Sequence, residues 1–502
     1  MNIKQAKLQI KNAMSAYLAR NEFGIRLVPI YRQRPVFLLG APGIGKTAIM
    51  RQIADELGIG LVSYSMTHHT RQSALGLPFI TKKTYGGEEY EVSEYTMSEI
   101  IASVYDQMEA TGKKEGILFL DEINCVSETL TPAMLQFLQF KEFGRHRVPD
   151  GWIVVTAGNP PEYNLSVREF DIVTWDRIKR VDVEPCFTTW KEYAYATGVH
   201  PCVLTYLELK PGDFYKVETG VEGKRFVTPR GWDDLSQMML VYEIQDIEID
   251  HLLIEQYLQD KKIAKDFTIY HSLFQKYRQT YSVETILAGE ASDELKKAVE
   301  EAPFDERISI IGMLINRVND AMRSAMQSDA FVKHLHGLIS GNKQRLNGSN
   351  EEAVAVLGEL CGGEKDSLTL GNKLGFLTGE RRQELSNSIA FLKSCIDQLS
   401  NAKAEEEGFA LIERAFSNEV AALDEKVRLT SAELNNLFVF LEEVFGVGQE
   451  LLLTVTELSI SPFGLQFISE YGCDKYFEHN QALLFHDRHK ELEEKLEQLK
   501  RL

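Results

Sequence analysis

The sequence predicts an α/β protein in which a parallel sheet covered by helices is followed by helical regions. Short apolar runs recur at residues 36–39, 61–64, 117–120 and 153–157, and stretches with helical spacing lie between them. Continuous apolar strands that alternate with amphipathic helices are typical of a parallel sheet that is buried on both faces. After about residue 190 the strand signals fade and helical patterns continue, so the fold class is α/β with additional all-α regions.

The chain divides by pattern into three predicted regions. An α/β core covers residues 1–190, a helical region covers 191–300, and a second helical region covers 301–502. Within the core, a Gly-Gly turn between two largely polar stretches predicts a projecting β-hairpin over residues 79–95. In the last region, we expect loops near 340–350 and 362–373, a helix that begins at a capping box formed by Thr430 and Glu433, and a charged helix over 487–502.

Composition and charge narrow the functional classes. The 502 residues include 55 Lys and Arg against 74 Asp and Glu, which gives a net charge of −19, and 44% of the residues are hydrophobic. These are values of a globular chain, and the acidic balance disfavours nucleic acid as the main partner. The six scattered cysteines form no C-x-x-C pair, and no run approaches the roughly 20 apolar residues of a membrane span. We therefore expect a cytoplasmic protein without a membrane span.

A glycine-rich loop carries the strongest chemical signal. The segment GAPGIGKT at residues 40–47 directly follows an apolar run and precedes a predicted helix. Glycines let backbone N–H groups converge on a polyphosphate, and the helix N-terminus adds positive potential there. In this pattern Lys46 reaches the β- and γ-phosphates and the Thr47 hydroxyl ligates Mg²⁺. The predicted nucleotide-binding residues of this segment are Gly40, Ala41, Pro42, Gly43, Ile44, Gly45, Lys46, Thr47 and Ala48.

Two other apolar runs end in polar residues that complete the pattern. Asp121 and Glu122 follow the run at 117–120, and Asn159 follows the run at 153–157. Strand ends of this kind meet at the carboxyl edge of a parallel sheet, where ligands bind. We predict that Asp121 holds Mg²⁺ together with Thr47, that Glu122 is the general base for the attacking water, and that Asn159 orients this water.

These motifs, together with TPRGW at residues 228–232, resemble those of AAA+ ATPases, and within them the MoxR-type clade with its dynein-related modules. The similarity covers roughly residues 30–240. It implies ATP and Mg²⁺ as cofactors, a homo-oligomeric ring that is typically hexameric, and a helical lid over 191–300. It further implies that Asn159 is sensor 1 and that Arg230 is the sensor 2 arginine of the lid.

The same resemblance implies an arginine that acts on the ATP of a neighbouring subunit. Arg177, in the segment WDRIK, corresponds best to this position, although Ile178 stands where the family usually has Phe. Arg168 and Arg180 are alternatives. The hairpin at 79–95 and a second one at 143–147 would face the ring pore or a partner.

Three functional hypotheses follow from these residues. The first is an ATPase that remodels or matures a protein partner, as MoxR-type chaperones do with von Willebrand factor A-domain proteins. The second is a nucleic-acid-directed AAA+ motor, which the net charge of −19 disfavours. The third is a nucleotide-gated scaffold, which would have no need of a general base. None of these residues recognises the base of the nucleotide, so the sequence is compatible with ATP and with GTP. The motifs assign no role to residues 301–502.

Overall fold

The computed structural model describes residues 1–68, 71–164, 166–220, 223–374, 377–401 and 408–481. The chain forms two compact units. Unit 1 comprises Met1–Thr189 and Thr228–Gly231, and unit 2 comprises Trp190–Val227 and Trp232–Leu502. The predicted terminal helix over 487–502 lies outside the described residues.

Strands in unit 1 form a central parallel sheet and two small hairpins. In chain order they are β1 Val36–Gly40, β2 Gly60–Ser65, β3 Pro78–Tyr85, β4 Glu88–Tyr95, β5 Gly116–Asp121, β6 Glu142–Phe143, β7 His146–Arg147, β8 Trp152–Gly158 and β9 Lys179–Val183. The central sheet is fully parallel, with strand order β2-β5-β8-β1-β9. The four apolar runs are four of its strands, which confirms the predicted fold class. The edge strand β9, whose charged residues alternate with valines, was not predicted.

Helices cover this sheet. Those that lie wholly in unit 1 are α1 Ile3–Leu18, α2 Lys46–Leu57, α3 Arg71–Leu75, α4 Glu99–Thr111, α5 Thr131–Phe140 and α6 Ile172–Trp175. Helix α1 begins at a capping box in which Asn2 and Gln5 satisfy each other's backbone N–H groups. Helix α2 begins directly after the glycine-rich loop and ends at Gly58, which has a φ of +64°. The loop thus lies at the N-terminus of a twelve-residue helix.

The sheet is buried on both faces because its strands are continuously apolar. Every residue of β8 is buried, as are Ile117, Leu118, Phe119 and Leu120 of β5. Small residues are required where the Trp152 ring crosses the neighbouring strands, since a Cβ at Gly60 or Gly116 would lie 2.7 Å from this ring. The tightly packed sheet provides a rigid edge on which polar strand ends can be placed.

The predicted hairpin is present as β3 and β4, paired from Pro78↔Tyr95 to Tyr85↔Glu88. Gly86 and Gly87 have φ values of +61° and +94°, as a two-residue type I′ turn requires. The second hairpin, β6 with β7, follows α5. Arg145 at its tip pairs with Glu94 at 2.7 Å, and His146 Nε2 donates to the Tyr95 carbonyl at 3.3 Å.

Unit 2 is almost entirely helical. Its elements, including α7 and α9 that begin in unit 1, are α7 Phe187–Thr197, α8 Pro201–Leu209, β10 Lys216–Gly220, β11 Gly223–Val227, α9 Pro229–Ile244, α10 His251–Tyr257, α11 Lys261–Thr280, α12 Val283–Leu287, α13 Asp293–Glu300, α14 Phe304–Gly341, α15 Lys343–Leu346, α16 Asn350–Leu374, α17 Gly379–Asn401, α18 Gly408–Phe445, α19 Gln449–Ile460 and α20 Pro462–Tyr471. The hairpin of β10 and β11 was missed by the sequence analysis.

Two local predictions in the last region are wrong. Residues 362–373 are not a loop, since they lie within α16, where Gly362 and Gly363 meet no neighbour that a side chain would displace. Thr430 and Glu433 do not begin a helix, because both lie inside the 38-residue helix α18, where Thr430 is buried. Packing along long helices overrides these local signals.

Within the described residues, no single helix is both long enough and apolar enough to cross a membrane. One pair, α19 and α20, passes the same test of length and composition only when the two are taken together, and it is bent by 94°.

Candidate nucleotide-binding and hydrolysis site

The glycine-rich loop connects β1 to α2 at the carboxyl edge of the sheet in unit 1. Gly43 and Gly45 have φ values of +75° and +90°, backbone conformations that residues other than glycine rarely adopt. Gly40 has no space for a side chain, since its Cβ would lie 2.5 Å from the Val183 carbonyl oxygen. Ala41 and Ile44 are buried, and Pro42 is partly buried. The loop is therefore held in one shape by its packing against β9 and the core, as a backbone cradle for phosphates must be.

Lys46 is buried at the first turn of α2 with its ammonium group held by oxygen atoms. Its Nζ donates to the carbonyls of Gly40 and Ala41, each at 2.7 Å, and to Asn159 Oδ1 at 2.9 Å. Burial lowers its pKa to about 8, Asp121 opposes this shift, and Arg230 adds to it. A buried cation surrounded by neutral oxygens is a site where an anionic ligand gains strong electrostatic stabilisation.

Thr47 and Asp121 meet beside Lys46. The Thr47 hydroxyl donates to Asp121 Oδ2 at 2.8 Å, which joins the first turn of α2 to the end of β5. Asp121 Oδ1 accepts from the backbone N–H of Glu122 at 2.9 Å. A hydroxyl and a carboxylate that converge in this way are the hard oxygen donors that Mg²⁺ selects, so the residues present fit this ion.

Glu122 has a left-handed backbone conformation, with φ of +56°, directly after β5. Its Oε2 accepts hydrogen bonds from the Ser65 hydroxyl at 3.1 Å and the Thr67 hydroxyl at 3.2 Å. Ser65 is the last residue of β2 and lies opposite Asp121 in the parallel register. The carboxylate is thus fixed by the neighbouring strand, and the backbone strain at Glu122 is of the kind found at functional positions.

Asn159 follows β8 and is positioned from behind by Asn124. The Asn124 side chain donates to the Asn159 carbonyl at 2.8 Å, while the Asn124 carbonyl accepts from the Arg168 backbone N–H at 2.9 Å. Gly158 is required at this point, because a Cβ there would overlap the Asn124 amide. Asn124 therefore fixes the backbone from which Asn159 reaches Lys46.

The three candidate arginines differ in their partners. Arg168 pairs with Glu128 at 2.7 Å, and Arg180 pairs with Asp182 at 2.8 Å while its guanidinium lies 4.8 Å from the centre of the Trp175 ring. Arg177 is exposed and, within the part of the chain that the structure describes, has no carboxylate within ion-pair distance. It contributes to the lowered pKa of Asp171, after the hydrogen bonds that Thr174 donates.

Arg230 is exposed and belongs to unit 1 with the other residues of segment 228–231. This segment lies against the glycine-rich loop, since a Cβ at Gly43 would be 3.1 Å from Thr228 Oγ1 and 3.2 Å from Arg230 Cβ. Arg230 therefore adds positive potential at the same place as Lys46.

Most of the predicted site residues are brought together. Hydrogen bonds join Lys46 to Asn159 and Thr47 to Asp121, Glu122 follows Asp121, and Arg230 lies against the loop. Sequence reasoning missed Ser65, Thr67 and Asn124. Asn124 lies three residues after Asp121, and Ser65 and Thr67 follow an apolar strand as Asp121 does, so polar residues at strand ends were the available signal.

The parallel sheet, the phosphate-binding loop and the residues at the strand ends define the class of P-loop nucleotide-binding proteins. Residues 36–165 match the model of the ATPase family associated with various cellular activities (AAA), which supports an AAA+ ATPase. Domains of this family in general hydrolyse ATP, and the family suggests oligomerisation. Comparison of the chain with curated proteins finds no significant match.

Proposed function

We propose that this protein is a Mg²⁺-dependent ATPase that forms an oligomeric ring and uses hydrolysis to remodel or mature a protein partner. The observation that carries the proposal is the joined set of Lys46, Thr47, Asp121 and Asn159 with Glu122 beside it. A protein that only binds nucleotide has no need of a carboxylate fixed at this edge. These residues are the parts that phosphoryl transfer to water requires.

In this mechanism each residue of the chain has one task. Backbone N–H groups of the loop and Lys46 bind the β- and γ-phosphates. Thr47 and Asp121 would hold Mg²⁺, which would neutralise charge on the phosphate oxygens. Glu122 accepts the proton of the attacking water, and Asn159 orients this water toward the γ-phosphate. Arg230 stabilises the negative charge of the γ-phosphate.

The ring is proposed because one cation of the site would come from a neighbouring copy. Arg177 is the candidate that has no carboxylate partner within the described residues, whereas Arg168 and Arg180 are each engaged in an ion pair. An unpaired exposed arginine is available to an anion on another subunit, where it would stabilise the transition state. We propose a hexamer on the basis of the family resemblance.

The finer assignment rests on the motifs of the sequence. We propose that the protein acts as a MoxR-type chaperone in the cytoplasm, with a von Willebrand factor A-domain protein as partner. Residues 191–300 would be the lid of the nucleotide-binding core. The support is the resemblance over residues 30–240 together with the two hairpins of unit 1.

Replacement of Glu122 by Gln tests the proposal. We expect the variant to bind ATP as the parent does and to lose turnover by about a hundredfold or more, because the amide cannot accept the proton. Glu115→Gln, directly before the first residue of β5, is the matched control and should keep the parent rate. Equal turnover of Glu122→Gln and parent would overturn the assignment of the base.

The same variant tests the partner. In the presence of ATP and Mg²⁺, Glu122→Gln should be trapped as an oligomer that retains a protein from cell extract. DNA-stimulated hydrolysis by the parent would instead favour a nucleic-acid-directed motor, and assembly that needs ATP without any measurable turnover by the parent would favour a nucleotide-gated scaffold.

A further inference from the structure

The hairpin of β3 and β4 is separate from the central sheet of unit 1. Within the described residues, these two strands of eight residues pair only with each other. An isolated two-stranded sheet is marginally stable, and its edges present unpaired N–H and C=O groups. Such an edge is a template for a further strand.

The strand register shows which backbone N–H and C=O groups of β4 point away from β3. Since the turn has two residues, the closing pair Tyr85↔Glu88 is hydrogen-bonded within the hairpin, and every second pair after it is too. The backbone groups of Glu89, Glu91 and Ser93 therefore face away from β3. Tyr95 belongs to the same outward series, and its carbonyl accepts a hydrogen bond from His146. The outer edge of β4 already binds a donor from another element at this end.

Charge distinguishes the two edges. The outer edge of β4 carries Glu89 and Glu91, and the exposed Glu88 lies at the turn. Of these, Glu89 alone lies within ion-pair distance of a cation among the described residues, at 3.9 Å from Lys82, which is the residue opposite Glu91. The outer edge of β3 instead carries Lys82 and Pro78, which has no N–H to offer. The outer edge of β4 is thus acidic, and each of its outward residues Glu89, Glu91 and Ser93 has both a backbone N–H donor and a C=O acceptor.

We infer that the outer edge of β4 binds an extended, basic segment of a protein substrate, which adds to the hairpin as a third strand. The inference rests on the proposed function, since it assigns the substrate class of the remodelling ATPase. Backbone groups of Glu89, Glu91 and Ser93 supply the affinity, as in other cases of strand addition. Basic side chains on one face of the added strand pair with Glu89 and Glu91.

The opposite face of β4 offers apolar contacts, and one end of the hairpin limits the length of the added segment. Tyr90 and Val92 lie on the other face of β4, where they offer apolar contacts to alternate residues of the substrate. At the far end, Glu94 is bound by Lys83 and Arg145, and Tyr95 by His146. The added segment is therefore limited to the span of residues 88–93. A nucleic acid does not fit, because its phosphates would face carboxylates.

Peptide binding to the full-length protein tests the inference. The probe is a labelled ten-residue peptide of alternating lysine and valine, and its dissociation constant is measured by fluorescence anisotropy on Glu122→Gln with ATP and Mg²⁺. Ser93→Pro removes an outward N–H that the hairpin does not use, and we expect it to weaken binding by about tenfold. Ile80→Pro, which removes the matched N–H on β3, should bind within about twofold of the parent.

A second measurement avoids any effect of the substitutions on folding. The same peptide with alternate backbone nitrogens methylated keeps its charge but cannot form the strand, so it should bind about tenfold more weakly. Equal binding of both peptides, or equal binding by Ser93→Pro and Ile80→Pro, would overturn the inference. Hydrolysis of ATP by the parent without peptide is measured in parallel. Hydrolysis without peptide binding refutes this inference alone, and binding without hydrolysis refutes the proposed function alone.

Discussion

The Ser65 hydroxyl donates a hydrogen bond to Glu122 Oε2 across 3.1 Å, so the last residue of β2 restrains the proposed general base at the end of β5. The Thr67 hydroxyl donates to the same oxygen at 3.2 Å. Two donors on one carboxylate oxygen restrict the orientation of the Glu122 side chain. We expect them to hold the carboxylate away from the orientation in which it would activate the attacking water.

Removal of both donors should raise basal turnover. We expect Ser65→Ala combined with Thr67→Val to increase the rate of ATP hydrolysis by about fivefold, the factor that corresponds to one net hydrogen bond of about 1 kcal/mol. Steady-state phosphate release measures the effect. Ser63→Ala, an exposed residue of the same strand, is the control and should leave the rate unchanged. A drop in the rate of the double variant would mean that the two hydroxyls hold Glu122 in its active orientation.

A methyl group at Gly158 should impair catalysis without contact to the nucleotide. In Gly158→Ala the new Cβ displaces the Asn124 amide, which then loses its 2.8 Å hydrogen bond to the Asn159 carbonyl. We expect kcat to fall by about tenfold to a hundredfold, while ATP affinity changes little, because the misplaced Asn159 affects the attacking water most. Gly358→Ala, in open space on α16, is the matched control. A variant with parent kcat and weakened ATP affinity would contradict the proposed role of Asn159.

The α/β fold could be predicted from the sequence where burial dictates the pattern. Strands β1, β2, β5 and β8 are continuously apolar because both faces of the sheet are covered, and the glycines of the hairpin turn specify its conformation. Strand β9 was not predicted because only Val181 and Val183 are apolar, while Arg180 and Asp182 face outward at the sheet edge and Lys179 begins the strand. Helix α16 was not predicted throughout, because Gly362 and Gly363 suggest a loop. At these partly or fully exposed positions a glycine costs too little to end a long packed helix.

The candidate site was predictable where chemistry constrains residue type, as at Lys46, Thr47, Asp121 and Glu122. The supporting residues were not, because their roles depend on strand order. Ser65 reaches Glu122 only because β2 lies beside β5, and Asn124 reaches Asn159 only because β5 lies beside β8. The chain contains many other serines and asparagines, and only the strand order shows that Ser65 and Asn124 are the ones that support the site.

A buried ion pair in unit 2 should be essential to its stability. Lys191 of α7 donates to Glu457 of α19 at 2.6 Å, and both side chains are 6% exposed. Lys191→Met leaves the Glu457 carboxylate without its cation, so we expect the free energy of unfolding to fall by about 3 to 5 kcal/mol. Chemical denaturation monitored by circular dichroism measures the change.

Two further variants of unit 2 check the cause. Lys210→Met removes a more exposed pair with Asp266 and should cost less than about 1 kcal/mol. Lys191→Met combined with Glu457→Gln should recover part of the loss, because the buried side chain is then neutral. Equal effects of Lys191→Met and Lys210→Met would show that the pair at Lys191 is not specifically important.

Lys141, directly after α5, should make the stability of unit 1 vary with pH in the alkaline range. Its side chain is 4% exposed and donates to Gln33 Oε1 at 3.1 Å. Burial, together with the nearby Arg26 guanidinium, lowers its pKa from 10.5 to about 8, against the opposing effect of Asp150. The folded protein therefore releases this proton at a lower pH than the unfolded chain does.

The sign of the pH effect follows from this difference. Between about pH 8 and 10.5 the unfolded chain binds more protons at residue 141 than the folded protein, so this residue makes stability rise with pH across this window. Below pH 8 both states are charged and the burial penalty is fully present. Relative to Lys141→Met, which carries no charge, the parent should gain about 2 kcal/mol from pH 7 to pH 10. Denaturation of parent and variant at both pH values measures the gain, with Lys114→Met as the exposed control. A constant difference between parent and Lys141→Met would show that Lys141 titrates normally in the folded protein.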